Sequence, residues 1–588
     1  MVAARRSLWD LRPPDALDRS LRRWNDVDPV LAAALESESA QARPNYVVHR
    51  HGSDLAFSDL HAASRVRIGA LHALQASFYR GASHVETEQF AVGAPHAGEP
   101  GAPGSDPSAL LLARDGTRWT NTAASAYADW FASARWRAGV GVRYSHHTLR
   151  QRYDALDGAD IGLTAQETTA EAEARLLAAL DAVPRPDNGN DLRDLALEAD
   201  ATVTFGRGHE AELGAEASLL TSRFHLLSSG FGETAFRDLD AGRSQAVVAA
   251  YADVRYRLGT RWKVEPGLRL TTRASAGDVL AEPRIALRYD ALAADRLGPI
   301  PLRGVAARLA AGVYRQYTSR VELATFGPSA LVPDVAVWLP LDASLAAASA
   351  LHLSAELLWQ PTHAWSARVE GYAKAMPRVY ALDYRALLSD GAPLSDQADF
   401  LVAEEGRAFG LGARVERQAT RWAAHLSVSG QQSERRNPTR FGGQWTAAPW
   451  EEPLRASAGL DVVALGQRGG NSLQLRARGL GIRGRSWAFR RAYYDVLPAR
   501  GTDQLGTFRL DAPGGDRLAP LLTLDVGAAY TRRLGDGRRL ELAFDVANVL
   551  DRRNVLDWSL RPAGDGGYRA EARTLPGLQP SLRLRITL

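Results

Sequence analysis

At 588 residues, 45% of them apolar and 23% charged, the chain has enough apolar material for a sizeable fold, and a single large barrel is the main exception to the usual ~100–200 residues per domain. A mean hydropathy of −0.24 and the lack of any unbroken apolar run of ~18 residues exclude a helical membrane protein, so a membrane could be crossed only by strands. Cysteine is absent, which excludes disulfides, thiolate metal sites and cysteine nucleophiles, and the net charge of +4 comes from dispersed residues, nearly all the basic ones Arg, which argues against nucleic-acid binding.

The N-terminus, Met1–Asp10, carries an early basic pair, but no apolar core of ~7–15 residues follows it as a secretory signal requires. Export would therefore need a start lying upstream, and the rival reading is a cytoplasmic protein. Asp15 to Glu36 reads as a polar helix capped near Pro13 and Pro14, so residues 1–40 form a polar helical segment ahead of a barrel spanning 41–588. Strand-like stretches follow at Arg65–Arg80 and Arg118–Arg150, including Trp136–His147, in a first third that is less regular than the rest. Gly93–Ser108 is a Gly/Pro-rich loop, and Thr168–Val183 is an Ala/Glu/Leu helix ended by Pro184, placed in an extracellular loop.

From about Asp191 onward, alternating segments are joined in turn by a very short connector and a long one. Gly206–Gly208, Gly259–Thr260, Gln360–Ala364, Gln418–Arg421, Gly466–Gly470 and Gly535–Gly537 are tight turns; Thr318–Ser349, Pro377–Gly406, Glu434–Glu451 and Gly484–Leu518 are long polar connections. The strands have a period of two. Leu540, Leu542, Phe544 and Val546 alternate with Arg539, Glu541, Ala543 and Asp545, and Leu582, Leu584, Ile586 and Leu588 alternate with Arg583, Arg585 and Thr587. A soluble sandwich alternates too. The wet face, however, is rich in Gly, Ala, Ser, Thr and Arg, and Trp262, Trp359, Trp365, Trp422 and Tyr530 flank turns where an interfacial girdle would lie. The expectation is an all-β fold, a large antiparallel transmembrane β-barrel of about 16 to 20 strands with short periplasmic turns and long extracellular loops, in the cell outer membrane and against its lipid and lipopolysaccharide.

Several strings then resemble one family. Trp262–Thr271 (WKVEPGLRLT), with Pro266 and Gly267, precedes Glu282–Tyr289 (EPRIALRY), with Pro283, Arg284 and Tyr289. Gly312–Gln316 (GVYRQ) adds Gly312, Tyr314 and Gln316; Glu405–Gly412 adds Gly406; Arg517–Asp525 adds Asp525; Asp545–Asn554 adds Asn548, Asp551 and Asn554; and Arg573–Leu588 adds Pro576 and Gly577. In this order they are similar to the barrel strands of TonB-dependent outer-membrane receptors. The resemblance implies a receptor that imports a scarce nutrient such as a siderophore, with TonB engaged only through a plug for which no segment of this chain offers a match. These positions read as architecture: Gly267 and Gly312 admit close approach, Arg284 and Arg288 face the lumen where acidic plug groups could meet them, and Asn548, Asp551 and Asn554 form a turn network. The terminal residue, Leu588, departs from the family's aromatic end.

The sequence offers no catalytic or metal constellation, and no enzyme activity or cofactor is expected. His146 and His147 are adjacent and point to opposite faces of a strand; His49 and His51 lack a third ligand. Neither a G-x-S-x-G elbow nor a phosphate-cradling loop or H-E-x-x-H pair occurs. The imported ligand is not legible, although Arg435, Arg436, Trp445 and Trp450 are loop residues suited to hold one. Two alternatives stand beside the receptor: a passive outer-membrane channel or truncated structural barrel, and a soluble all-β binding protein whose apolar faces would pack on each other.

Overall fold

A computed structural model describes residues 2–6, 45–69, 72–94, 110–164, 167–182, 188–226, 239–291, 295–297, 300–301, 304–323, 335–382, 396–438, 443–448, 451–466, 471–484, 486–487, 516–535, 538–562, 568–575 and 577–587. The helix expected over Asp15–Glu36, most of the Gly/Pro-rich loop, Trp450 and Pro576 lie outside the described residues.

The alternation seen in the sequence becomes one continuous antiparallel wall. Its first ten strands are β1 (Val2–Arg6), β2 (Asn45–Ile68), β3 (His72–Ala94), β4 (Leu110–Ser133), β5 (Trp136–Asp157), β6 (Asn188–Phe205), β7 (His209–Leu226), β8 (Leu239–Leu258), β9 (Trp262–Arg273) and β10 (Asp278–Asp290). The next ten are β11 (Val305–Gln316), β12 (Ala348–Thr362), β13 (Trp365–Leu382), β14 (Leu401–Gln418), β15 (Trp422–Arg436), β16 (Leu454–Leu465), β17 (Asn471–Ile482), β18 (Leu521–Gly535), β19 (Arg538–Ala547) and β20 (Gln579–Thr587). With the short strand Trp445–Ala447 beside β15 they make up one 21-stranded sheet. From β1 to β20, each strand pairs with the next one in the chain, so no connection crosses the sheet. Because hydrocarbon offers no partner to a bare peptide group, such a ladder suits a wall that spans a membrane.

The first third is the most extended part, not the least regular. Strands β2 to β5 run 22 to 24 residues, about twice the ~9–11 needed to cross a bilayer, so they continue well past it. Their periodicity is weak in sequence because small residues such as Ala76, Ala124, Ala126 and Ala128 occupy the outward positions between Leu74, Phe78 and Trp130.

Short and long connections alternate as expected, except that residues 291–304 after β10 make a longer connection at the turn end. The tight turns after β2, β4, β6, β8, β12, β14 and β18 share one end of the barrel, while the connections after β3, β5, β7, β11, β13, β15, β17 and β19 rise from the other. The turn Ala274–Gly277 after β9 is a short connection at the loop end. Helix α1 (Thr169–Ala182) sits in the loop after β5, where Thr168 and Glu171 cap it reciprocally: Thr168 N donates to the Glu171 carboxylate at 2.9 Å and Glu171 N to Thr168 Oγ1 at 3.3 Å. Donation from Thr168 N and from the Thr168 hydroxyl holds the Glu171 carboxyl below its ordinary range. Leu176 and Leu180 of α1 pack on Leu112, an outward residue of β4, so the helix lies on the outside of the wall above its apolar band.

The two faces are unmistakable. Leu197, Leu213, Ile285, Leu353, Leu411 and Leu582 all point outward and are more than half exposed, whereas their neighbours Glu198, Glu212, Arg284, Ser354, Gly410 and Arg583 point inward. Among the described residues these apolar faces pack on no second sheet, which rules out the soluble sandwich. Trp130, Trp136, Trp262, Trp359 and Trp365 stand exposed at the turn end, as an interfacial girdle requires. Among the described residues no helix is long and apolar enough to cross a membrane.

Leu411, 65% exposed on the outer face of β14, should tolerate Ala well. Arg there should cost about 2–4 kcal/mol in equilibrium refolding into lipid vesicles, because the charge would sit in hydrocarbon. Equal stability of the two variants would place this face in water.

Candidate functional site

The inner wall is a ladder of charge pairs laid flat over glycines. Arg284 on β10 stands opposite Gly267 on β9, which stands opposite Asp253 on β8. The Arg284 side chain therefore lies across Gly267, with Nε donating to Asp253 Oδ1 at 2.8 Å. A Cβ at Gly267 would collide with that carboxylate and come within 2.8 Å of the Arg284 Nε. The same arrangement recurs across the barrel, where Arg476 on β17 passes over Gly527 on β18 to reach Asp545 on β19, Nε to Oδ1 at 3.0 Å. Tyr372 likewise crosses Gly410 to donate to Gln431 Oε1 at 3.1 Å. Near the turn end, Glu216 takes Arg143 at 2.6 Å and Arg269 at 3.0 Å, and Arg255 joins Glu210 to Glu265. A long side chain lying down needs a neighbour without a Cβ. The resulting lumen is polar, and many of its charges lie flat against the wall.

The sequence-marked positions fall into two groups. Gly267, Arg284, Gly312 and Tyr314 are brought together on the lumen side, Arg284 facing Gly312 in register and the Tyr314 ring stacking on His352 at 4.6 Å. Gln316 ends β11 on that same face. The fork of Arg284, which the sequence places where acidic plug groups could meet it, is held by the wall's own Asp253. Pro266 and Pro283 face outward beside Ile285 and Leu268, and Tyr289 packs against Trp262 with ring centroids 4.7 Å apart, so these three are part of the lipid-side surface.

The second group sits at the loop end of β18 to β20. Asn548 and Asp551 adopt positive φ, 51° and 49°, in a turn closed by Asn548 N donating to Asp525 Oδ1 at 2.8 Å. Asn554 pairs with both backbone groups of Leu522, donating at 3.0 Å and accepting at 2.8 Å, as another strand would. The Asp551 carboxylate accepts from Leu578 N at 2.8 Å and occupies the space a Cβ on Gly577 would need. Gly406 lies on the inner face of β14, with room for Met376 and Arg435 above it. The suggested ligand-holding residues divide across the wall: Arg435 faces inward opposite Gly406, while Arg436 faces outward, its guanidinium 5.2 Å from the Trp445 ring centroid. His146 and His147 also part as expected, His146 outward to Asp191 and His147 inward to Asn121. Among the described residues no group of three or more potential metal ligands forms.

What the sequence concealed is a shelf across the loop-end mouth. Residues 335–347, in the connection between β11 and β12, fold inward onto the lumen face of β6 to β9. Asn190 accepts from Trp338 N at 3.1 Å, Ser222 donates to Trp338 O at 2.8 Å, and Gln245 donates to Leu341 O at 2.7 Å. Arg273, its side chain only 3% exposed, is held by Asp278 at 2.6 Å and points Nη1 at the carbonyls of Leu341, Asp342 and Leu345, the last at 2.9 Å. Gln397, from the connection between β13 and β14, ties the shelf from above by donating to Pro340 O at 2.7 Å and accepting from Asp342 N at 3.1 Å. Leu339, Leu341, Leu345, Phe224 and Phe400 fill the space beneath, with the two phenylalanine rings 6.0 Å apart. The apolar run Val335–Leu341 (VAVWLPL) inside an otherwise polar connection was the signal. The shelf occupies the gap left where the short Ala274–Gly277 turn raises no loop of its own.

Comparison with known proteins supplies the family. Residues 69–441 match a model described as "TonB dependent receptor-like, beta-barrel". No curated protein matches the chain. Among solved structures it resembles the ferric yersiniabactin uptake receptor of Yersinia pestis at 10% identity and TM-score 0.52, covering 92% of this chain and 78% of that one. A variant of the ferric enterobactin receptor of Pseudomonas aeruginosa aligns at 12% identity and TM-score 0.54, with 92% and 79% covered. The ferric preacinetobactin receptor of Acinetobacter baumannii aligns at 8% and 0.51, with 92% and 80% covered.

Replacing Arg273 by Met should free the shelf without breaking the wall, since it leaves three carbonyls and Asp278 without their buried partner. Loss of such a pair costs about 3 kcal/mol, so amide exchange over residues 338–345 should speed up by roughly 100-fold. Unchanged exchange there would show that the apolar packing alone holds the shelf.

Proposed function

The chain belongs to the family of TonB-dependent receptor β-barrels of the outer membrane, and from that premise we propose that it imports a ferric siderophore or a ferric chelate of similar size. Receptors of this family are transporters. The observation that carries the reading is the pinned shelf over a polar lumen. A mouth lined by a folded loop admits selected solutes, and a lumen in which many charges are paired lets a polar complex move without being trapped on one strong ion pair. The similar solved structures are receptors for ferric yersiniabactin, ferric enterobactin and ferric preacinetobactin, which supports a ferric chelate as the ligand class. Tyr314, His352, Tyr372 and Lys374 line the lumen on β11 to β13 and offer aromatic and cationic surface to an anionic chelate.

The test is radio-iron uptake in a strain deleted for this protein, grown under iron limitation and offered a panel of ferric chelates. Loss of uptake for one chelate class, restored by the wild-type gene and abolished without TonB, is the expected result. Normal uptake of every chelate, together with a steady conductance of the purified protein in planar bilayers, would replace the receptor by a passive channel.

A further inference from the structure

The tight turns share one end of the barrel, its periplasmic end, and that end carries a crown of arginines. Arg135, Arg207 and Arg421 stand in the turns after β4, β6 and β14, while Arg67, Arg257 and Arg533 lie within the last three positions of β2, β8 and β18. All are exposed, and among the described residues none of them is ion-paired. The turns hold these cations out on fixed backbone. Gly206 and Gly208, at φ 53° and 90°, flank Arg207. Ser133 Oγ accepts from the backbone nitrogens of Arg135 and Trp136 at 3.2 Å each, and Ala419 N donates to Trp422 O at 2.8 Å across the turn that presents Arg421.

The carboxylates at this end are already engaged. Asp295, the one carboxylate among the described turn residues, takes Arg261 at 2.6 Å; on the adjoining strands Glu210 takes Arg255 at 3.1 Å and Asp290 takes Lys263 at 2.9 Å. Arg533 moreover stands directly opposite Arg539, a like-charge pair that a sheet tolerates poorly unless an anion lies beside it. The whole chain carries a net charge of only +4. Positive charge is thus segregated to the turn end, where it sets up a field along the barrel axis.

The shape of the crown selects its occupant. A wall of 20 strands curled at ordinary spacing and tilt is roughly 40 Å across, so most of these turns are separated by more than the ~8 Å over which salt screens exposed charges. A single small anion can therefore neutralise one arginine and not the crown. Lipid headgroups reach only part of it: Arg67, Arg257 and Arg533 alternate with Ile68, Leu258 and Leu534, which face the lipid more than half exposed, so these three arginines stand on the lumen side. A folded protein cap would need buried apolar or aromatic anchors. The turn tips offer Ala134, Thr260, Ala364, Ala419 and glycines, and Trp136, Trp262 and Trp365 beside them point outward to the membrane interface. What fits is a hydrated polymer with many separate anions, presented to the open end of the barrel from the periplasm. We propose that this crown binds the carboxylate-bearing, peptide-substituted glycan mesh of the cell wall and ties the barrel to it. The surface is independent of the import reading, since it uses none of the residues assigned to the ligand.

The experiment sediments the purified full chain, in detergent, with insoluble peptidoglycan sacculi and with sacculi whose carboxylates have been amidated. Native sacculi should pellet the protein, with binding weakened roughly tenfold as salt is raised from low to physiological strength. Amidated sacculi should leave it in solution. Arg135→Gln, Arg207→Gln and Arg421→Gln should each weaken binding about threefold to fivefold, and together by roughly thirtyfold or more. Heat-modifiable gel mobility, which reads the closed barrel, should be unchanged in all of them. The triple variant R407Q, R436Q and R455Q removes the same charge at the loop end and should pellet like the wild type. Undiminished pelleting of the turn-end triple variant, an equal loss in the loop-end one, or equal pelleting by amidated sacculi would each overturn the proposal. So would displacement from native sacculi by soluble short-chain phosphatidylglycerol at equal anion concentration, which would assign the crown to lipid headgroups.

Discussion

One constraint governs this molecule: a strand in hydrocarbon must pair every peptide group with a neighbouring strand. The wall meets it by the simplest route, each strand hydrogen-bonded to the next one in the chain. Everything else is then set by side-chain alternation, since consecutive residues of one strand serve opposite environments. At Ala196–Leu197–Glu198 the chain moves from lumen to lipid to lumen within three residues. A one-residue slip would exchange the two faces throughout the strand, which is why the register is so firmly specified.

Inside, the same constraint creates a second problem. A lumen lined by Arg, Glu and Asp would bristle with charge if the side chains stood upright. Placing Gly267 between Asp253 and Arg284, and Gly527 between Asp545 and Arg476, lets the ion pairs lie against the backbone. Each pair is partly exposed and individually worth little. Their value is geometric, because they remove unpaired charge from the path without placing apolar residues in water. Glycine in a strand is unfavourable by itself; here the guanidinium that covers it supplies the packing that its own missing side chain does not.

How much of this was legible depended on which residues occupied the outward positions. The last strands read clearly because Leu540, Leu542, Phe544 and Val546 make a clean apolar stripe. Strands β3 and β4 did not, because alanines and threonines take those places and the period is then carried only by scattered aromatics. Loop boundaries were misjudged for a related reason. Pro377 and Gly406 looked like loop residues, yet β13 and β14 run past both, with Pro377 absorbed at a register shift between Met376 and Val379. The turn network of Asn548, Asp551 and Asn554 was readable from local chemistry, since Asn and Asp tolerate positive φ and bond nearby backbone. The shelf was not, because Asn190, Ser222, Gln245 and Arg273 are ordinary lumen polars until a loop more than sixty residues away is laid against them.

The anchors of the shelf and a set of outward charged residues occupy the same short stretches of the wall. On β6, Asn190 points in to hold Trp338 while Asp191 and Arg193 point out; on β7, Ser222 and Phe224 point in while Arg223 and His225 point out. Alternation thus puts the loop's anchor and outward-facing charged side chains on adjacent residues of one backbone. These strands are paired on both sides, and the ladder continues to β8, where Gln245 donates to Leu341 O. The rim of the wall is therefore one paired ladder whose inward residues hold the shelf while their immediate neighbours face outward.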